Sequence, residues 1–89
     1  MLFECHVTCG LLHKKQCESI AADLHWKTSQ IERDPVLGNA TYFYFTTYDA
    51  DYVVLFNKMR YLSMVLESYL IPVVREKIEL IMYDTKGKT

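Results

Sequence analysis

Three cysteines and three histidines, all within residues 1–25, are the side chains best suited to bind a metal such as zinc. Cys9, His13 and Cys17 have the most suitable spacing, since His13 and Cys17 are one helical turn apart. This set lacks a clear fourth ligand, which an acidic residue or a second copy of the chain would have to supply. The alternative is that Cys5, Cys9 and Cys17 are small core residues, as unpaired cysteines usually are. We therefore expect no cofactor, with Cys9, His13 and Cys17 as the candidate ligands if a metal is bound.

The run His6-Val7-Thr8 could support acid–base chemistry, because His6 and Thr8 lie on one side of a strand. It resembles one of the two His-x-Thr motifs of the two-histidine phosphoesterases, in which paired histidines act as acid and base. The resemblance covers three residues, and the chain has no second His-x-Thr. A dimer mate would have to supply it. This predicts one possible function: a small-ligand or nucleotide binder, or phosphoesterase-like site, at a dimer interface around His6, Thr8 and Tyr44.

Residues 38–45, Gly-Asn-Ala-Thr-Tyr-Phe-Tyr-Phe, loosely resemble the aromatic strand of RNA-recognition domains, on which bases stack. The basic residue that opens that motif and its second glycine are absent. The net charge of the chain is −1, so no long-range field attracts a polyanion. A stacking surface without cations binds single strands poorly. Nucleic acid is therefore not an expected partner.

The composition indicates one globular domain, residues 1–89. Hydrophobic residues make up 51% of the 89 residues, which is ample for a core. No apolar run approaches the ~18 residues needed to cross a bilayer, so no membrane association is expected. An odd number of cysteines without a spaced framework is typical of reduced thiols, which favours a cytoplasmic protein.

Periodicity predicts six elements. Strict alternation over residues 2–9 and aromatic content over residues 41–48 predict strands, and a more polar strand is predicted over residues 26–32. Helices are predicted over residues 13–25 and from an N-cap at Asp49 up to Pro72, which bars further helix. The apolar stripe of the second helix runs from Tyr52 to Tyr69 and Leu70. A last strand is predicted over residues 73–84.

The order strand-helix-strand-strand-helix-strand predicts an α+β fold, the ferredoxin-like βαββαβ plait. Its four-stranded antiparallel sheet has the order 4-1-3-2, with both helices on one face. The two most apolar strands then lie in the centre. The charged fourth strand lies at an edge, where charge discourages unwanted pairing.

The face opposite the helices is expected to be bare and to carry the functional residues. Alternation assigns it Glu4, His6 and Thr8 from the first strand. The third strand adds either Tyr42, Tyr44 and Thr46 or Phe43, Phe45 and Thr47. We favour the first set, because tyrosine hydroxyls tolerate water. The expected interface residues on this face are Glu4, His6, Thr8, Tyr42, Tyr44, Lys77, Glu79 and Tyr83.

A second surface is expected on the long helix. Val54, Tyr61 and Val65 lie beside its core stripe, where they either cover the rim of the sheet or form a partner groove. With no phosphate-binding loop or nucleophile–base pair visible, the sequence favours binding over catalysis. We expect a small regulatory protein, inhibitor- or adaptor-like, of a kind that includes viral proteins. It forms a homodimer or docks on a larger protein partner.

Overall fold

The computed structural model describes residues 1–10, 13–34 and 40–81, without the side chains of residues 31–34 and 40. Four strands and two helices follow one another in the predicted order. They are β1 (Leu2–Gly10), α1 (Lys14–Leu24), β2 (Lys27–Asp34), β3 (Ala40–Asp49), α2 (Tyr52–Ser68) and β4 (Val73–Ile81). Tyr83, which the sequence assigned to the open face, lies outside the described residues.

The strands form one antiparallel sheet in the order β2-β3-β1-β4, which is the same neighbour relation as 4-1-3-2 read from the other edge. The α+β class is confirmed. Opposite residues in β1 and β3 include Val7 with Phe45 and His6 with Thr46. Because side chains alternate between faces, these pairs assign every residue of the central strands to one side of the sheet.

One hydrophobic core lies between the sheet and the helices. The sheet contributes alternate residues of its two central strands, and each helix contributes one stripe. Its buried side chains include Cys5, Val7, Cys9, Phe43 and Phe45 from the strands, Cys17, Ile20 and Ala21 from α1, and Leu55, Met59, Leu62 and Leu66 from α2. Since both helices pack into this cluster, both cover the same face.

Both helices end in the same way, through a residue with left-handed backbone conformation that is not glycine. These residues are His25 after α1, with φ 61°, and Leu70 after α2, with φ 60°. The next residue then donates its N–H back into the helix, Trp26 to Ala21 O at 2.8 Å and Ile71 to Leu66 O at 2.9 Å. This is the Schellman arrangement, and it turns the side chains of Trp26 and Ile71 into the core.

The start and the far end of α2 differ from the prediction. Asp51, not Asp49, is the N-cap, and its carboxylate accepts from the N–H groups of Val53 and Val54. Asp49 instead accepts from the N–H of Asp51. At the far end Leu70 is 84% exposed, because its left-handed φ takes it off the helical stripe and Ile71 occupies the core instead. Tyr52 and Tyr69 are also about half exposed.

Candidate functional site

The open face is the side of the sheet opposite the helices, and its register places the predicted residues in three adjacent rows. Glu4, His6 and Thr8 of β1 lie opposite Tyr48, Thr46 and Tyr44 of β3, and opposite Glu79, Lys77 and Arg75 of β4. The tyrosines of β3 lie here because its phenylalanines, Phe43 and Phe45, are in the core. Thr46 lies on the face as predicted; Tyr48 and Arg75 belong to it as well, and their even spacing from the predicted residues was the signal that could have identified them.

His6 lies at the centre of a hydrogen-bonded chain that crosses the open face. Its Nε2 is 2.8 Å from Glu4 Oε1, and its Nδ1 is 2.9 Å from Thr46 Oγ1. A neutral imidazole that donates from Nε2 to the carboxylate accepts from the threonine hydroxyl at Nδ1. Both ring nitrogens of His6 therefore have protein partners, and neither is directed at an open site.

Glu4 is held in its ionised form by its neighbours. A hydrogen bond from Tyr48 is the main cause that holds the pKa of Glu4 below its ordinary value, and the bond from His6 and the charge of Lys77 act in the same direction against partial burial. The same bond raises the pKa of the Tyr48 hydroxyl. Lys77 also forms an ion pair with Glu79 on its own strand. The face is thus a network of paired charges.

The opposite end of the open face is not bare. Thr8 is 1% exposed and Tyr44 8% exposed, although neither side chain lies on the helix side. Thr8 sits between the rows of Tyr44 and Arg75, two long side chains on the neighbouring strands. The expectation that Thr8 is accessible is therefore wrong. A ligand could reach its hydroxyl only after the side chains that cover it had moved.

The cysteines are core residues. Cys5, Cys9 and Cys17 are unpaired and fully buried, and the Sγ atoms of Cys9 and Cys17 are 3.6 Å apart. Burial raises the pKa values of Cys5 and Cys9 to about 12 and raises that of Cys17. Thiols in this state are weak nucleophiles and weak metal ligands, because both roles need the thiolate. Among the described residues no three His, Cys, Asp or Glu side chains converge on a metal position, so His13 does not complete a site with the two cysteines.

The solvent side of α2 is more apolar than that of an ordinary surface helix. Six large apolar or aromatic residues of this helix are more than two-fifths exposed, namely Tyr52, Val53, Val54, Phe56, Tyr61 and Met64. We call them the apolar surface of α2. The sequence identified Val54 and Tyr61 but missed the others, although only four polar residues interrupt the run from Tyr52 to Met64.

The flanks of α2 differ. Tyr61 and Val65 lie toward α1, where both line a shallow cavity with Ile20 and Leu24, and Val65 is half-buried against the core. Val65 thus covers the rim, as one of the two interpretations held. At the start of the helix, Tyr52 stacks on Phe56 with ring centroids 6.2 Å apart and meets Phe3 edge-to-face at 5.5 Å.

A partly buried polar contact fixes α2 against β4. Glu76 points from β4 toward the helix, where its two carboxylate oxygens accept from Arg60 Nη1 at 2.6 and 2.9 Å. Ser63, which is fully buried, donates to the same carboxylate at 2.7 Å. Lys58 is likewise tied to Asp49 at 3.3 Å. The two cations of α2 are therefore paired with carboxylates, although both remain about half exposed beside its apolar residues.

The cavities along the described residues are shallow. One of about 220 Å³ is lined by residues that include His25, Lys58 and Tyr61. Pockets that enclose a small molecule usually measure ~300–1,000 Å³. None of the helices in the described part of the chain is long and apolar enough to cross a membrane. No protein-family model matches the chain, and neither a curated protein nor a solved structure matches it significantly.

Proposed function

We propose that this chain is a small, non-enzymatic binding or regulatory protein, built as a ferredoxin-like plait of one domain. It acts through the apolar surface of α2 and the open face of its sheet, by homodimerisation or by docking on a larger protein partner in the manner of an inhibitor or adaptor. The reduced, buried thiols support a cytoplasmic location.

The observation that carries the proposal is the exposed apolar character of α2. A helix on the surface of a globular protein normally turns a polar face to water, and one that is apolar all round is normally buried. Between Val53 and Met64, both about three-fifths exposed, the helix also exposes Asn57, Lys58 and Arg60, but the two cations are paired with carboxylates. Exposed apolar patches of this kind mark protein–protein contacts.

The open face supports binding more than catalysis. To act as a general base, His6 needs a nitrogen that is free to reach the proton it removes, and both of its nitrogens are occupied by Glu4 and Thr46. The carboxylate–imidazole pair itself favours the second candidate, a ligand or phosphoesterase-like site around His6, Thr8 and Tyr44. That candidate requires Thr46 to release Nδ1 and the buried Thr8 to become accessible, so we place it second.

Two lysine substitutions on α2 test the proposal. Val53→Lys and Met64→Lys place charges on the solvent side of the helix without touching the core, so both variants should fold. Ala22→Lys, on the exposed side of α1, is the matched control. Each tagged protein is expressed in cells that carry the gene, and its oligomeric state and bound proteins are measured by native mass spectrometry.

In the two α2 variants, but not in the control, we expect the affinity for a bound protein or for self-association to fall at least about tenfold. This corresponds to ~1.4 kcal/mol. A set of contacts that is identical in all four proteins would refute a docking role for α2. His6→Ala distinguishes the second candidate, a ligand site around His6, from docking through α2, because it leaves the apolar surface of α2 intact. Loss of binding in His6→Ala with normal binding in both lysine variants would favour a site on the open face.

A further inference from the structure

β4 forms one edge of the sheet, and among the described strands it pairs only with β1. The outward edge of such a strand carries backbone N–H and C=O groups that another strand can pair with. β4 is regular from Arg75 to Ile81. At Val74 the register against β1 shifts by one residue, since Thr8 pairs with Arg75 but Cys9 pairs with Val73. The bulge therefore limits regular pairing to the segment from Arg75 to Ile81.

We propose that the outer edge of β4 pairs antiparallel with β4 of a second copy of this chain, in the register that places Ile78 opposite Ile78. The partner is thus a second molecule of the same protein. This inference goes beyond the proposed function, because the contact runs along the backbone edge of the sheet, although the Lys77 and Glu79 side chains beside that edge lie on the open face.

The register follows from the charges on the strand. When two copies of a strand pair about a twofold axis, one residue must lie opposite its own copy, and directly opposite residues lie on the same face. Centring the pair on Arg75, Lys77 or Glu79 places like charges opposite each other. Centring it on Glu76 does the same and also places Arg75 opposite Lys77. Like charges in directly opposite positions are destabilising.

Centring on Ile78 is the one register, among those that pair most of β4, without a like-charge pair. It places Lys77 opposite Glu79 of the second copy, twice by symmetry. It pairs the half-buried Ile78 with itself on the helix side. It places Leu80, which is 42% exposed, opposite Glu76, whose charge is already paired with Arg60.

The same register uses the regular segment and nothing more. With Ile78 at the axis, Arg75 lies opposite Ile81, so all residues after the bulge find partners. The register centred on Lys77 would need Val73 and the bulged Val74 to pair as well. Two independent features of β4, its charge order and its bulge, therefore select one arrangement. It makes a continuous sheet across both copies with all helices on one side.

A charge-exchange experiment tests this arrangement. Lys77→Glu places two glutamates opposite each other across the pair, and Glu79→Lys places two lysines opposite each other. Each variant alone should therefore dimerise at least about tenfold more weakly than the wild type. An equimolar mixture of the two should recover the dimer as a heterodimer, because each glutamate then faces a lysine. Sedimentation velocity measures association, with Lys15→Glu on α1 as the control.

The mixture distinguishes contacts between chains from contacts within one chain. Both single variants break the ion pair between Lys77 and Glu79 of the same strand, so that loss cannot be repaired by mixing. A wild-type protein that stays monomeric at about 100 μM, a concentration at which even a weak dimer forms, would overturn the inference, as would a mixture that associates no better than its components. Dimers that survive both charge variants but are lost in Val53→Lys would refute edge pairing and leave the proposed function standing.

Hydrogen exchange gives a second readout that does not depend on variants. In the paired state the outward N–H groups of the segment Arg75 to Ile81 should exchange more slowly at high protein concentration than at low concentration. The outward N–H groups of β2, at the other edge, should not change. Equal protection of β4 at both concentrations, across a range where the sedimentation shows a dimer, would place the interface elsewhere.

Discussion

The partly buried contact between Ser63 and Glu76 allows a quantitative test of how α2 is held on β4. Ser63→Ala removes a hydrogen bond to a carboxylate, and such bonds contribute ~1.5–3 kcal/mol. Arg60 still donates to both oxygens of Glu76, so the carboxylate is not left without a partner and the lower half of that range applies. Alanine gains ~0.5 kcal/mol of helix propensity over serine. The expected net loss in the free energy of unfolding is about 1–2 kcal/mol.

The assay is urea and thermal unfolding, in which a loss of this size lowers Tm by roughly 5–15 °C for a domain of this length. Ser19→Ala, at an exposed position of α1, is the matched control and should stabilise slightly through propensity alone. A double-mutant cycle with Glu76→Gln isolates the pair. If Ser63→Ala unfolds like Ser19→Ala, or if the cycle gives no coupling, the bond does not stabilise the α2–β4 contact.

Two further predictions concern the open face and the helix end. Tyr48→Phe removes the main cause of the lowered pKa of Glu4, so the pKa of this carboxyl should rise toward its ordinary 4.5. The variant should then lose less stability than the wild type as the pH falls through that pKa. An unchanged NMR titration of the Glu4 carboxyl would contradict this. Leu70→Gly should raise the free energy of unfolding by about 0.5–1 kcal/mol, since a left-handed residue with a Cβ costs ~1–2 kcal/mol and the added freedom of glycine in the unfolded chain offsets part of it. Leu70→Ala, which loses the same exposed side chain but keeps the strain, should show no such gain in thermal unfolding.

The faces of the central strands could be predicted because their residues differ in kind. In β1, Cys5 and Val7 alternate with Glu4 and His6, and the structure buries the first pair in the core. In β3 both sets are aromatic, so periodicity alone does not distinguish the two faces. The assignment depended on the tyrosine hydroxyls.

The left-handed caps of the helices could not be predicted, because the usual signal is absent. A glycine after the last turn normally marks the left-handed residue of a Schellman cap. Here His25 and Leu70 hold that position. The burial of the apolar residue that follows each of them, Trp26 and Ile71, compensates for the strained backbone. The local sequence does not show that this burial offsets the strain, so periodicity extends the apolar stripe of α2 too far.

The charges of β4 show why an edge strand can resist random pairing and still pair with itself. A foreign strand meets Lys77 and Glu79 on one face and Glu76 on the other, so any register that brings a like charge to one of these positions is destabilised. A second β4 brings the reversed order of the same charges. Because Lys77 and Glu79 are equally distant from Ile78, an antiparallel pair centred on that residue places each lysine opposite a glutamate of the other copy. Specificity of this kind comes from the cost of the wrong registers as much as from the strength of the right one. It predicts that a chain in which both charges are exchanged, Lys77→Glu with Glu79→Lys, should dimerise as the wild type does.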